Sequence, residues 1–199
     1  RLFYVDNVID ATAPVQLRAS AITVAGALGA VLSGIAIDVI LAPDGSLEMA
    51  DRAAELFGEG LEIGRGLGDA PLISQALGGL SRVALRTDVP AGRRLAREAL
   101  AVSDEAADEA GRSNALHLLG VVAQIAGDLP EARDWMTQRL ALVRGTGNEF
   151  LIASEAANLS MVERQLGNLD EAEALARESL EIDAMRGDYW AMPYKVSGL

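Results

Sequence analysis

A short phrase that returns every forty residues constrains this chain more than any other feature of it. Gly127-Asp128-Leu129-Pro130-Glu131-Ala132-Arg133 reappears forty residues later as Gly167-Asn168-Leu169-Asp170-Glu171-Ala172-Glu173, and forty residues earlier as the weaker Thr87-Asp88-Val89-Pro90-Ala91-Gly92-Arg93. A second marker, a small residue followed by an acid or amide, recurs as Gly68-Asp69, Ala107-Asp108, Gly147-Asn148 and Gly187-Asp188, at spacings of 39, 40 and 40. A fixed period of this length is the signature of a stacked array, in which each unit hides its apolar side only against its neighbours. Both markers carry the chemistry of helix ends. Glycine takes up the left-handed backbone that follows a helix at no steric cost, and Asp or Asn accepts a hydrogen bond from the open N–H groups of the next helix. Each period therefore holds two helices.

The segments between the markers agree. Asn114 to Ala126 places Leu116, Leu119, Ala123 and Ile125 or Ala126 on one helical face, and Pro130 opens the partner helix at a first-turn position where its missing N–H costs nothing. That partner sets Ala132, Trp135, Met136, Leu140 and Val143 on one side, matched forty residues on by Ala172, Leu175, Ala176, Leu180 and Asp183, the last pair breaking the pattern. Alternation is poor and aromatics are only 4%, so the expectation is an all-α chain. Small residues at Gly120 or Ser160, facing Ala132 or Ala172, would let two helix backbones approach closely.

In this register residues 1–16 are the end of a preceding helix and a linker. Residues 17–69 form a degenerate first unit, 70–108 the second, 109–148 the third and 149–188 the fourth, and 189–199 open a fifth that stops inside its first helix. The first unit is distorted: Arg52 to Ile63 aligns with Glu171 to Ile182, placing Ala53 at Ala172 and Leu61 at Leu180, while Asp38 to Ser46 reads as an insertion turning at Pro43-Asp44-Gly45.

Composition narrows the chemistry. There is no Cys and one His among 199 residues, which excludes disulfides, thiolate metal sites, a cysteine nucleophile and multi-histidine metal centres. A net charge of −12 opposes broad binding of nucleic acid by this segment. The opening RLFYVDNVID has two aspartates where a signal peptide would be basic, so a cytoplasmic location is expected. Ala19 to Ile37 runs nineteen residues without a charge, but twelve of them are Ala, Gly, Ser or Thr. Such residues contribute little transfer free energy, and Leu28, Val31, Leu32, Ile35 and Val39 fall on one helical stripe, which favours a packed helix over a membrane span.

No constellation for catalysis emerges, and neither metal nor cofactor is expected. Gly58-Glu59-Gly60 and Gly64-Arg65-Gly66-Leu67-Gly68 fit no phosphate-binding fingerprint and read as a loose helix end. His117 has no carboxylate three or four residues away, the acidic pairs sit at helix starts or on solvated faces, and Trp135 and Trp190 read as packing anchors. One local departure is basic: Arg82, Arg86, Arg93, Arg94 and Arg97 share the stretch Ala70 to Arg97 with Asp88 alone. They suit either a solvated edge paired to neighbouring acids or a seat for an acidic partner.

Stacked helix pairs curve, and the first helix of each unit lines the concave side. Counted forward from Ser113, the inward candidates are Asn114, His117, Val121 and Gln124; forty residues earlier stand Ser74, Leu77, Ser81 and Ala84, and forty later Ser154, Ala157, Met161 and Arg164. Such a strip mixes amides and hydroxyls that can bond a peptide backbone with apolar contacts at Leu77, Val121 and Met161.

Leu119-Gly120, Ala123, Gly127, Asp128 and Ala132 resemble the tetratricopeptide pattern, and Leu159, Ser160, Gly167 and Ala172 repeat it, although the period exceeds the usual thirty-four. The resemblance implies a right-handed superhelix of about four helix pairs that binds a protein or peptide, or other domains of its own chain. The opener Leu17-Arg18-Ala19-Ser20-Ala21 with Ala25-Gly26-Ala27-Leu28, the linker Gly187-Asp188-Tyr189-Trp190-Ala191 and the repeated Glu-Ala motifs further resemble the arrays of large bacterial ATP-dependent regulators of the LuxR and AfsR types. In such proteins the array receives an inducer or inhibitory partner and controls the ATPase switch. Similar arrays accompany cyclases and kinases or act as stand-alone adaptors. The Lys and Asn arrangement by which co-chaperone repeats grip a C-terminal carboxylate is missing.

Overall fold

The computed structural model describes residues 45–187. These form seven α-helices and no strand: α1 Gly45–Leu67, α2 Ala70–Ala84, α3 Val89–Glu105, α4 Glu109–Ile125, α5 Leu129–Thr146, α6 Glu149–Leu166 and α7 Leu169–Arg186. The opener at 17–28, the uncharged stretch at 19–37, most of the insertion at 38–46, Trp190 and the start of the fifth unit at 189–199 lie outside the described residues. The chain divides into two compact units at Leu118/Leu119, inside α4.

Short linkers do two jobs at once. Gly127 stands at φ +79°, the next N–H (Asp128) donates to the Ala123 carbonyl at 2.9 Å, and the Asp128 side chain accepts from the Glu131 N–H at 3.2 Å. One glycine and one aspartate thus close α4 and open α5. Gly68-Asp69 works alike, with Asp69 donating to the Gly64 carbonyl at 3.0 Å and accepting from the Leu72 N–H at 3.1 Å. At Ala107-Asp108 the left-handed place is held by alanine at φ +53°, a conformation its Cβ disfavours. Asn168 departs in another way: its amide donates to Glu163 Oε2 at 2.6 Å, and its side chain does not cap α7.

The glycine-rich stretch 58–68 is not a loose helix end. Helix α1 continues to Leu67, and only Gly68 is left-handed, at φ +67°. A close approach explains one of these glycines, since a Cβ on Gly64 would lie 3.1 Å from Ile73 Cγ1.

In the first unit α1 packs on α2 and α2 on α3. The Phe57 ring occupies the space that a side chain on Gly79 would need, while Leu61, Ala76, Leu77, Ala99 and Ala115 share one buried cluster. Polar contacts hold the backbones near. Ser81 Oγ donates to the Gly92 carbonyl at 2.9 Å, and Ser103 Oγ, which donates to Ala99 O at 2.9 Å, meets Ser74 Oγ at 2.7 Å. Gly111 of α4 abuts both hydroxyls.

In the second unit α7 packs on α6 and α6 on α5, around Ala123, Ala132, Met136, Leu140, Val143, Ala156, Leu159, Val162 and Leu175. A Cβ on Gly120 would stand 2.7 Å from Met136 Cγ and 3.7 Å from Ala132 O, the close approach that small residues at these places permit. Trp135 lies against this core and donates to Glu131 Oε1 at 3.2 Å. An ion pair is buried here as well: Arg139 of α5 donates to Glu155 of α6, whose side chains are 8% and 0% exposed, and Asn158 donates to the same carboxylate at 3.2 Å.

Candidate partner-binding surface

The strip expected from sequence divides when its residues are located. In the first unit Ser74, Leu77 and Ser81 are buried, at 1%, 0% and 0% exposure, and cannot line a surface. Ser74 and Ser81 make the interhelical hydrogen bonds described above, and Leu77 is core. The cause is one residue of register. The opening markers Asp69 and Asp108 are 39 apart, whereas the later markers Asp88 and Asp128 are 40 apart, so α2 belongs to a hairpin one residue shorter. A step of one residue turns a helical side chain by about 100°, enough to carry it from a surface into an interior.

Counted from its own capping aspartate, α2 aligns Gln75 with Asn114, Gly78 with His117 and Arg82 with Val121. Ser81 then aligns with Gly120, and both are the small residue at which the first helix nears its partner. Gln75 and Arg82 are exposed, and Asn114 and His117 half-buried. Arg82 Nη2 donates to Asn114 Oδ1 at 2.6 Å, and a Cβ on Gly78 would come 2.8 Å from Asn114 Nδ2. The absence of a side chain at Gly78 is therefore what admits the Asn114 amide. Sequence reasoning misses Gln75 and reads Arg82 only as part of a basic stretch; the 39-residue spacing is the signal that places both on this strip.

In the second unit Val121, Gln124 and Ser154 are half-buried, and Met161 and Arg164 are exposed. Val121 rests on the core cluster, and Met161 shows 40% of its surface to solvent. This surface offers apolar contact bordered by an amide, a hydroxyl and a guanidinium. Among the described residues no three His, Asp or Glu side chains gather as a metal site, and no helix is long and apolar enough to cross a membrane.

Comparison with known proteins bears on the same helices. Residues 156–182, from α6 into α7, match the tetratricopeptide repeat family. The fold is a tetratricopeptide-like helical array. No curated protein sequence matches the chain. Among solved structures it resembles BtubC (BKLC) from P. vanneervenii, at TM-score 0.68 and 18% identity over 94% of this chain and 71% of that one. It also resembles aspartyl phosphate phosphatase F from Bacillus subtilis, at TM-score 0.67 and 10% identity over 75% of this chain. The match spans 39% of the length of the phosphatase. At these identities the likeness concerns the fold.

Proposed function

We propose that the array is the protein- or peptide-binding part of a larger bacterial cytoplasmic regulator of the LuxR or AfsR type, receiving an inducer or partner and acting by binding rather than catalysis. The repeat match supports a binding role, since tetratricopeptide-like arrays generally engage protein partners. One observation carries it to particular residues: a methionine left 40% exposed on α6, in the unit whose core supports Val121 of α4. Methionine adapts to varied partner shapes, and exposed apolar side chains bordered by polar ones suit an interface core.

The test is affinity capture with the full chain, followed by Val121→Glu and Met161→Glu. Loss of the captured partner from both variants, with unchanged helical circular dichroism, supports the reading; a partner that both variants retain contradicts it. The regulator assignment predicts a nucleotide-binding motif upstream and a helix-turn-helix downstream in the same reading frame. A cyclase or kinase signature in those places would overturn that assignment.

A further inference from the structure

We propose that the second unit, along α6 and the last two turns of α4, binds an uncharged stretch of polypeptide in extended form. Val121, Ile125 and Met161 meet its apolar side chains, and Gln124 and Gln165 its backbone. The inference rests on the binding reading above and names the class of partner for that same surface.

Apolar exposure is the first argument. Ile125 falls one turn after Val121 on the same side of α4, and it is 54% exposed. Met161 holds in α6 the place that Val121 holds in α4, and Gln165 the place of Ile125. Keeping Ile125 and Met161 in water costs free energy that burial against an apolar partner recovers.

Charge is the second argument. From Leu119 to Ile125 α4 carries none, and from Ser154 to Leu166 α6 has only Glu155, Glu163 and Arg164. Glu155 is buried in its pair with Arg139, Glu163 is 5% exposed and accepts from Asn168, and Arg164 is already engaged within the protein. The exposed acids described in this unit sit on the linkers, on α5 and α7 and in the first turn of α6. A basic partner would be drawn to those places, and an acidic one repelled by a chain of −12. An uncharged segment gives up no ion hydration on entering a strip that offers no open countercharge.

Amide chemistry is the third argument. Gln124 is half-buried and Gln165 exposed, and neither side chain is hydrogen-bonded among the described residues. A carboxamide carries two N–H donors and an acceptor oxygen, the complement of a peptide group. A helix spends its peptide groups on one another, whereas an extended segment leaves a row of N–H and C=O groups open along its edge. Side chains on one face of such a segment recur about every 6.7 Å, close to the roughly 6 Å that one helical turn sets between Val121 and Ile125 along α4. An extended occupant therefore uses both the apolar side chains and the open amides, and an amphipathic helix would leave the amides idle.

The experiment is selection of a random library of displayed peptides, each of about twelve residues, on the full chain at roughly 0.15 M salt, where remote charges are screened. The peptide enriched most is then made with a fluorophore and measured by anisotropy. Enriched sequences are expected to be apolar at alternate positions and poor in Asp, Glu, Lys and Arg. Ile125→Glu and Met161→Glu should each weaken the labelled peptide at least about tenfold, with unchanged circular dichroism. Gln124→Ala and Gln165→Ala together should cost about tenfold, as should methylation of alternate backbone nitrogens of the peptide, while Gln138→Ala on α5 should alter binding less than about twofold. Enrichment of nothing, of charged sequences, or of apolar residues at three-and-four spacing would overturn the proposal, and so would a glutamine pair that matters no more than Gln138. If the enriched peptides are charged or helical in pattern yet Met161→Glu still abolishes their binding, this inference fails and the binding reading stands. Peptides that bind Val121→Glu and Met161→Glu as well as the parent would end both.

Discussion

Two joints at the same place in the repeat are built from opposite materials. Between α3 and α4, Ala99 and Ala115 belong to one buried apolar cluster; forty residues on, between α5 and α6, the equivalent positions are Arg139 and Glu155, a buried ion pair. The backbone plan is common to both, so the contrast isolates what side chains add to it. Small apolar residues join helices at little desolvation cost and with little directional demand. A buried pair must recover the cost of removing two charges from water, which leaves its net stability small, but each charge becomes strongly dependent on the other. The alanine joint should therefore tolerate no charge, and the ionic joint no half of itself.

Ala115→Glu breaks the comparison most severely, since it installs one half of the ionic joint where Ala99 offers no countercharge. A loss of about 3–5 kcal/mol is expected in chemical denaturation followed by circular dichroism, from an uncompensated buried charge. Gly120→Leu probes the other close contact of the second unit. It drives a branched side chain into Met136 and Ala132 and should cost about 1–3 kcal/mol; a melting temperature equal to that of the parent would show that α4 and α5 are not in the stated register. Asp128→Ala removes the cap of α5 and should cost about 1 kcal/mol, an effect read as a lowered denaturation midpoint. The smallest change is a gain. Ala107→Gly relieves the left-handed alanine of the first unit and should raise stability by about 1 kcal/mol, whereas a loss would mean that the alanine methyl makes contacts worth more than its strain.

The period, the pairing of helices and the linkers were readable because they rest on backbone chemistry: Gly-Asp pairs end and start helices wherever they occur. The candidate surface was less readable because it depends on rotation about the helix axis, to which a one-residue difference in length is fatal. A forty-residue step back from Asn114, His117 and Val121 puts Ser74, Leu77 and Ser81 outward, yet the 39-residue spacing from Asp69 to Asp108 puts Gln75 and Arg82 there instead. The buried pair had a faint trace in sequence. Arg139 lies among Met136, Leu140 and Val143, and Glu155 between Ala153 and Ala156, charged residues within apolar stripes. Nothing in one stripe identifies its partner in the other; forty-residue equivalence to Ala99 and Ala115 does.

That equivalence is tested most directly by a double-mutant cycle at Arg139 and Glu155. Arg139→Met and Glu155→Leu should each cost about 3–5 kcal/mol of unfolding free energy, while the double variant, with an apolar joint like that of the first unit, should return to within about 1 kcal/mol of the parent or exceed it. Costs that simply add would contradict the account, because the two side chains would then not share one buried joint.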